Sequence, residues 1–465
     1  MFSDFDSKLT RFQIKTVIVS GIGIFSDSYN LYAIALVYYI AAFYLNLTPP
    51  ESALMTSGAF IGAAIGAILF GLIADKIGRK PVYGLDLALI TLGSFLQFFA
   101  VNFTLLLIFR IILGLGIGGD YVLSPIITAE NANSRDRGKL MIMTFPIMAA
   151  FGAMLAAFVD QVSTILLPSS LVWKIVLAFG GVPALFVIYF RRKITETARY
   201  SAIVKGSSVD IMSIEKETGT KIEITRDTKT YSYRLKTSLV LVLISSVLWI
   251  LYDMYSSTFA IYGPITIAKN LGLTPISFTY YAEIFAGIPG AIVSAMLIDK
   301  IGRKRLITIG YLGVFFWLLL YGLLLMKSPI FGSKILSGIL PTGLVGEAAF
   351  AGFSFYIMNY LFSAMGPASI IGGAMVTPEI TPTKARGTSQ AITVGLDRTA
   401  DALGLTAFPL LLARLGLPFL ILGFSAIAIL SIIIMNVGIP EARGKSLEEI
   451  TGETADTGIR GSIGK

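Results

Sequence analysis

The hexapeptide DKIGRK stands at residues 75–80 and again at 299–304, inside the longer stretches GLIADKIGRK (71–80) and AMLIDKIGRK (295–304). Four of its six residues are charged, in a chain of 465 residues that is 55% hydrophobic and only 14% charged. The copies lie 224 positions apart, so the repeat points to two comparable halves before any local reading is made. Soluble domains carry about a quarter charged residues. Runs such as ESALMTSGAFIGAAIGAILFGLIADK (51–76) and LPFLILGFSAIAILSIIIMNVG (417–438) are long enough to cross a hydrocarbon core, which takes about 20 helical residues. Alternating segments of the barrel kind are missing. The chain reads as an all-α polytopic membrane protein.

Spans read near 13–43, 53–74, 81–102, 104–130, 138–161 and 170–190, then near 237–267, 276–298, 305–326, 346–379, 387–412 and 416–438. That is twelve transmembrane helices in two pseudo-symmetric halves. The expected organisation is a six-helix half at 1–190, a solvated loop at 191–236, a second half at 237–438 and a tail at 439–465. Placing both termini and the even-numbered loops in the cytoplasm puts 30 of the 37 Lys and Arg residues on that side. Five (Lys174, Lys269, Lys327, Lys334, Arg414) fall outside, and Arg110 and Arg398 fall within spans. This is the positive-inside pattern, so the net charge of +9 reflects topology and not a nucleic-acid surface. The polar start MFSDFDSKLTRFQIK, followed by a long apolar segment, does not read as a cleavable signal. The reading is a multi-pass protein of the plasma membrane, with the bilayer as its only necessary partner; a twelve-span unit forms its site as a monomer.

Cysteine and histidine are both absent, which excludes disulfides, thiolate chemistry and His-ligated metal and leaves carboxylates as proton carriers. No metal, cofactor or enzymatic constellation is expected. The run GLGIGG (114–119) has no preceding strand or following Walker lysine and reads as helix packing. Both DKIGRK copies fall in corresponding loops. Asp75 with Arg79, and Asp299 with Arg303, are candidate gate pairs across the seam between the halves; plain positive-inside anchoring is the alternative. A second echo, ENANSRDRG (130–138) and EITPTKARG (379–387), has Glu followed seven residues later by Arg-Gly. Parallel repeats around a central site are a transporter architecture.

The loop residues resemble the major facilitator superfamily signature G-x-x-x-D-[RK]-x-G-R-[KR], matched in full by the first copy and with Ala295 for Gly in the second. ITETARYSAIV (194–204) and PEARGKSLEEI (440–450) are similar to motifs of its sugar-porter-like branch. Within that branch GIGGDYVLSPIITAENANSRDRGK (116–139), FSDSYNLYAI (25–34) and WILYD (249–253) resemble the phosphate:proton symporters, with Val122 for a proline. The resemblance implies alternating access with small-molecule substrate and protons as partners. It assigns proton coupling to Asp27, with Asp120 serving proton or substrate, and substrate binding to Tyr121, Trp249 and Asp253. Arg398 stands where the family has lysine and would supply positive charge for an anion. Asp397 and Asp401 could neutralise that charge, and an internal ion pair is the alternative role.

Charges at bilayer depth cost roughly 2.5–3.5 kcal/mol even on lenient scales, so each needs a reason. Three aspartates on lining helices fit proton carriage, because desolvation lets small changes of environment load or release a proton; buried structural hydrogen bonding is the alternative. Several phosphate-ligand positions of the resembled family differ here: Met148 for Gln, Ala364 and Ala368 for Asn, and Ser257 for Tyr. Ser256, Ser257, Ser369 and Tyr255 could substitute. The expected function is proton-coupled import of a small polar solute, phosphate first, with a sugar, an organic acid or uncoupled facilitation as alternatives. Glu283 and Glu347 receive no role.

Overall fold

The computed structural model describes residues 5–6, 9–222, 231–327 and 347–453. Twelve principal helices follow one another: α1 (Arg11–Leu36), α2 (Pro49–Ile77), α3 (Leu85–Gln97), α4 (Phe103–Asn131), α5 (Arg137–Leu166), α6 (Ser169–Arg191), α7 (Ser238–Asn270), α8 (Pro275–Ile301), α9 (Arg303–Lys327), α10 (Glu347–Met365), α11 (Arg386–Leu415) and α12 (Leu417–Gly438). Nine of them are long and apolar enough to cross a membrane. The others are α3, α10 and α11. The chain is a helical multi-pass membrane protein.

Local chemistry sets the helix ends. Thr10 with Gln13 and Thr48 with Glu51 form capping boxes at α1 and α2, and Pro49 and Pro275 occupy first helical positions that need no N–H. α3 is shorter than the expected 81–102 because Gly84, at φ +124°, turns the chain and Asp86 accepts the Gly84 and Leu87 amides. The expected span at 346–379 is interrupted. α10 stops at Met365, before Gly366-Pro367, and a π-helical turn (Ala368–Gly372) and a short helix (Val376–Ile380) carry the chain onward.

Small residues let α2 and α4 touch backbone to backbone. A Cβ on Gly62 would lie 2.2 Å from the Ile111 carbonyl oxygen, and one on Gly114 would lie 2.1 Å from that of Ala59. α2 also packs along α11, and α5 against α8, which joins the first six helices to the last six. The expected solvated loop after α6 is exposed at Arg192 and Lys193 but then turns inward: from Glu196 to Ala202 every residue is inside the protein. Lys334 and the Glu347 side chain lie outside the described residues.

Candidate functional site

The two DKIGRK copies come together on one face of the bundle and are used identically. Asp75 accepts from the backbone amides of Gly387 (2.9 Å) and Thr388 (2.6 Å) at the start of α11. Asp299 accepts from Gly138 (3.1 Å) and Lys139 (2.8 Å) at the start of α5. Each aspartate caps a helix from the other set of six, where free N–H groups and the helix dipole favour a carboxylate.

The arginines add ion pairs at the same seam. Glu130 lies between Arg79 (3.1 Å) and Arg386 (2.8 Å), and Glu379 between Arg303 (2.7 Å) and Arg137 (2.9 Å). Each glutamate is thus held by one arginine from its own six helices and one from the other six. The pairs inside each hexapeptide, Asp75–Arg79 (3.6 Å) and Asp299–Arg303 (3.0 Å), stay within one copy. So the ties across the seam run to partners other than those expected.

The hexapeptide glycines have their own role. Gly78 (φ +103°) and Gly302 (φ +93°) adopt a left-handed backbone, and a Cβ there would lie 2.3 Å from the Glu196 carboxylate and 2.7 Å from that of Glu441. Glu196 accepts from the amides of Arg79 and Lys80 (both 3.2 Å), and Glu441 from those of Arg303 and Lys304 (both 3.0 Å). Arg199 adds a further tie, donating to Glu448 (2.7 Å) and Asp6 (2.9 Å). Burial alone would raise the Glu379 and Glu448 carboxyls. The guanidiniums of Arg303 and Arg137 on the first, and of Arg199 on the second, outweigh burial and hold both below the usual carboxylate range.

Asp27 and Asp120, read from the sequence as lying on cavity-lining helices, are inside the first six helices and are not on the cavity wall. The cause is Arg191, the last residue of α6, which the sequence reading placed in the solvated loop. Its fully buried guanidinium donates to Asp86 (2.7 Å) and Asp120 (2.7 and 2.8 Å) and lies 3.9 Å over the Tyr83 ring. Ser124 adds a hydrogen bond to Asp120. Asp27 adjoins this cluster, fully buried, and neither of its carboxylate oxygens has a hydrogen-bond partner among the described residues. Arg110 is also buried, with Gln97 as its side-chain contact at 3.4 Å.

The second cluster borders a central cavity lined from both sets of helices, among others by Tyr32, Tyr121, Asp253, Tyr255, Ser257 and Arg398. Arg398 donates to Asp401 (2.5 Å) and to Asp253 (3.4 Å), and lies 3.5 Å from Asp397. Its guanidinium sits 4.4 Å from the Tyr121 ring centre, so a cation on α11 meets an aromatic of α4 across the seam. Trp249 donates to Asp253 at 3.0 Å from one turn earlier and is not on the wall itself. Oxygens of Asp253, Asp397 and Asp401 lie within 4.8 Å of one another. Arg398 supplies in their midst the positive charge a metal ion would bring. One guanidinium cannot balance three carboxylates, so the cluster needs protons to be neutral.

The departures from the resembled pattern also fall into place. Ala364, Ala368 and Ser257 line the cavity, whereas Met148 faces an apolar pocket with Ile22, Phe25 and Phe158. Ser256 and Tyr255 reach the cavity wall; Ser369 does not and bonds the Ala364 carbonyl instead (2.6 Å).

The family model of sugar (and other) transporters matches residues 16–453. The chain is 28% identical over 517 residues to the probable inorganic phosphate transporter 1-6 of Arabidopsis thaliana, covering 98% of this chain and 97% of that protein. It is 29% identical over 531 residues to inorganic phosphate transporter 1-11 of Oryza sativa subsp. japonica, covering 97% and 90%. In fold it is similar to the proton:xylose symporter XylE bound to 6-bromo-6-deoxy-D-glucose (TM-score 0.77, 20% identity, 95% and 99% covered). A partially occluded inward-open form of XylE from E. coli gives a TM-score of 0.72 at 18% identity, with 94% and 100% covered.

Proposed function

The chain belongs to the sugar (and other) transporter family of the major facilitator superfamily, and from that premise we propose that it is a proton-coupled symporter importing inorganic phosphate by alternating access. It is a membrane transporter and not an enzyme. The observation that carries the finer reading is the cavity-side cluster of Arg398 with Asp253, Asp397 and Asp401. Arg398 offers a forked donor suited to a phosphate oxygen pair. Its three carboxylates repel an anion until they take up protons, so anion binding and protonation are linked by charge alone. The relatives named as phosphate transporters support the substrate.

In the cycle so proposed, the locked face is the cytoplasmic one and the cavity loads from the other side. Protonation of the Arg398 cluster admits dihydrogen phosphate, whose hydroxyls find acceptors in Asp253 and Ser257. The halves then rock, and the Glu130 and Glu379 ion-pair triads part. Asp27 and Asp120, beside Arg191, form a second proton-sensitive centre inside the first six helices. Binding by the purified protein tests the substrate: phosphate should bind more tightly as pH falls, while xylose and dicarboxylates should not compete. Direct binding of a sugar, with no phosphate binding at any pH, would assign the cavity to sugar.

A further inference from the structure

Glu283 lies outside both charge clusters. It opens a π-helical turn, Glu283–Gly287, inserted within α8. Such turns widen a helix locally and recur at functional sites. This one faces the central cavity, whose wall here is formed by Glu283, Gly287, Tyr32, Tyr356, Asn359 and Tyr360. The Glu283 side chain is buried, and the Tyr360 hydroxyl donates to its Oε1 at 2.9 Å. Its Oε2 is buried without a hydrogen-bond partner among the described residues, as is Oδ1 of Asn359 on the same wall.

The surroundings hold no balancing charge among the described residues. The titratable groups that face Glu283 are tyrosines: Tyr356 and Tyr360 from α10, and Tyr32 from α1. α5 also packs on the turn, but its acid, Asp160, neighbours Tyr29 and Tyr280 instead. An ionised carboxylate with one neutral hydrogen bond would cost several kcal/mol of desolvation. A neutral acid has no such cost: Oε1 keeps the Tyr360 bond, and Oε2–H becomes a donor. The backbone makes room for that oxygen, since a Cβ on Gly287 would lie 2.0 Å from Oε2.

We propose that Glu283 is a further proton-binding site of the transport cycle, distinct from the Arg398 cluster and from Asp27 and Asp120, holding a proton while an anion occupies the cavity and exchanging it through cavity water when the cavity is empty. The proposal rests on the proton-symport reading. It separates the site into an anion-binding end at Arg398 and a proton-holding wall on α8, both drawing on one water-filled space. With Glu283 neutral, the cavity carries one fewer negative charge against the incoming anion.

Infrared difference spectroscopy between acid and alkaline buffer tests the site without any substrate. Wild-type protein should show a protonated-carboxyl band that disappears in Glu283→Gln and shifts in Gly287→Ala, which displaces Oε2 but keeps the acid. In proteoliposomes, Glu283→Gln should move one fewer proton per phosphate, read from the gradient at which net flux reverses; a purely structural role would leave that count unchanged. Identical spectra for wild type and both variants, or an unchanged proton count in a Glu283→Gln protein that still transports, would overturn the proposal. If wild type moves no phosphate under any gradient, the substrate reading fails, and the infrared bands alone still decide whether Glu283 binds the proton.

Discussion

Glu130→Gln should open the locked face. The Glu130 carboxylate is completely buried between Arg79 and Arg386, at 3.1 and 2.8 Å, and accepts a further hydrogen bond from Thr197. Removing its charge leaves two buried guanidiniums facing each other, and breaking a buried pair in this way costs about 3–5 kcal/mol. In the open form both guanidiniums reach water, so the loss falls mainly on the closed form. Taking about 3 kcal/mol, and a factor of ten per 1.4 kcal/mol, the closed-to-open ratio falls about a hundredfold. The chain has no cysteine, so spin labels on Lys80→Cys and Lys384→Cys report this seam without background. Electron–electron double resonance should show one short distance in wild type and a second, longer population in Glu130→Gln. Glu379→Gln should act in the same direction through Arg303 and Arg137. A folded Glu130→Gln protein with an unchanged distance distribution would refute the idea that this triad holds the face closed.

Arg398→Lys keeps the charge but replaces the planar guanidinium, whose Nη1 holds both Asp401 and Asp253, and loses the paired donors offered to phosphate; at about 1.5–3 kcal/mol for charged hydrogen bonds, phosphate affinity measured by titration should fall roughly ten- to a hundredfold. Arg191→Met strands Asp86 and Asp120 and should lower the melting temperature sharply, with Asp120→Asn added to it recovering part of the loss, as a double-mutant cycle would show. The Glu379 carboxyl is held below its usual range, so its contribution to stability is present above the unfolded value of about 4.3 and is lost as pH falls through the lower folded value. Melting temperature followed downward from pH 5 should therefore fall more shallowly in Glu379→Gln than in wild type.

The repeated hexapeptide made the architecture legible because its spacing is a property of sequence alone. The same holds for the Glu130 and Glu379 echoes, whose Arg-Gly partners seven residues on proved to be the arginines and helix starts of the seam. Partner choice was not legible: Asp75 sits four residues from Arg79, yet its nearest contacts are amides more than three hundred residues away. Arg191 was missed for a physical reason. It opens the basic run RRK, which hydropathy places in a loop, whereas only helix packing shows that its side chain turns back onto Asp86 and Asp120. Composition showed Asp397 and Asp401 as neighbours of Arg398 but not their convergence with Asp253 from α7. Glu283 carried no local signal at all; its meaning comes from a widened turn and a bare glycine.

The most direct test of the central claim is radiolabelled phosphate uptake into proteoliposomes of the intact chain under an imposed inward proton gradient, with an uncoupler as control. The account predicts accumulation that follows the gradient, collapses with the uncoupler and is abolished by Arg398→Ala. Accumulation indifferent to the gradient, or a gradient-driven flux of sugar with none of phosphate, would contradict it.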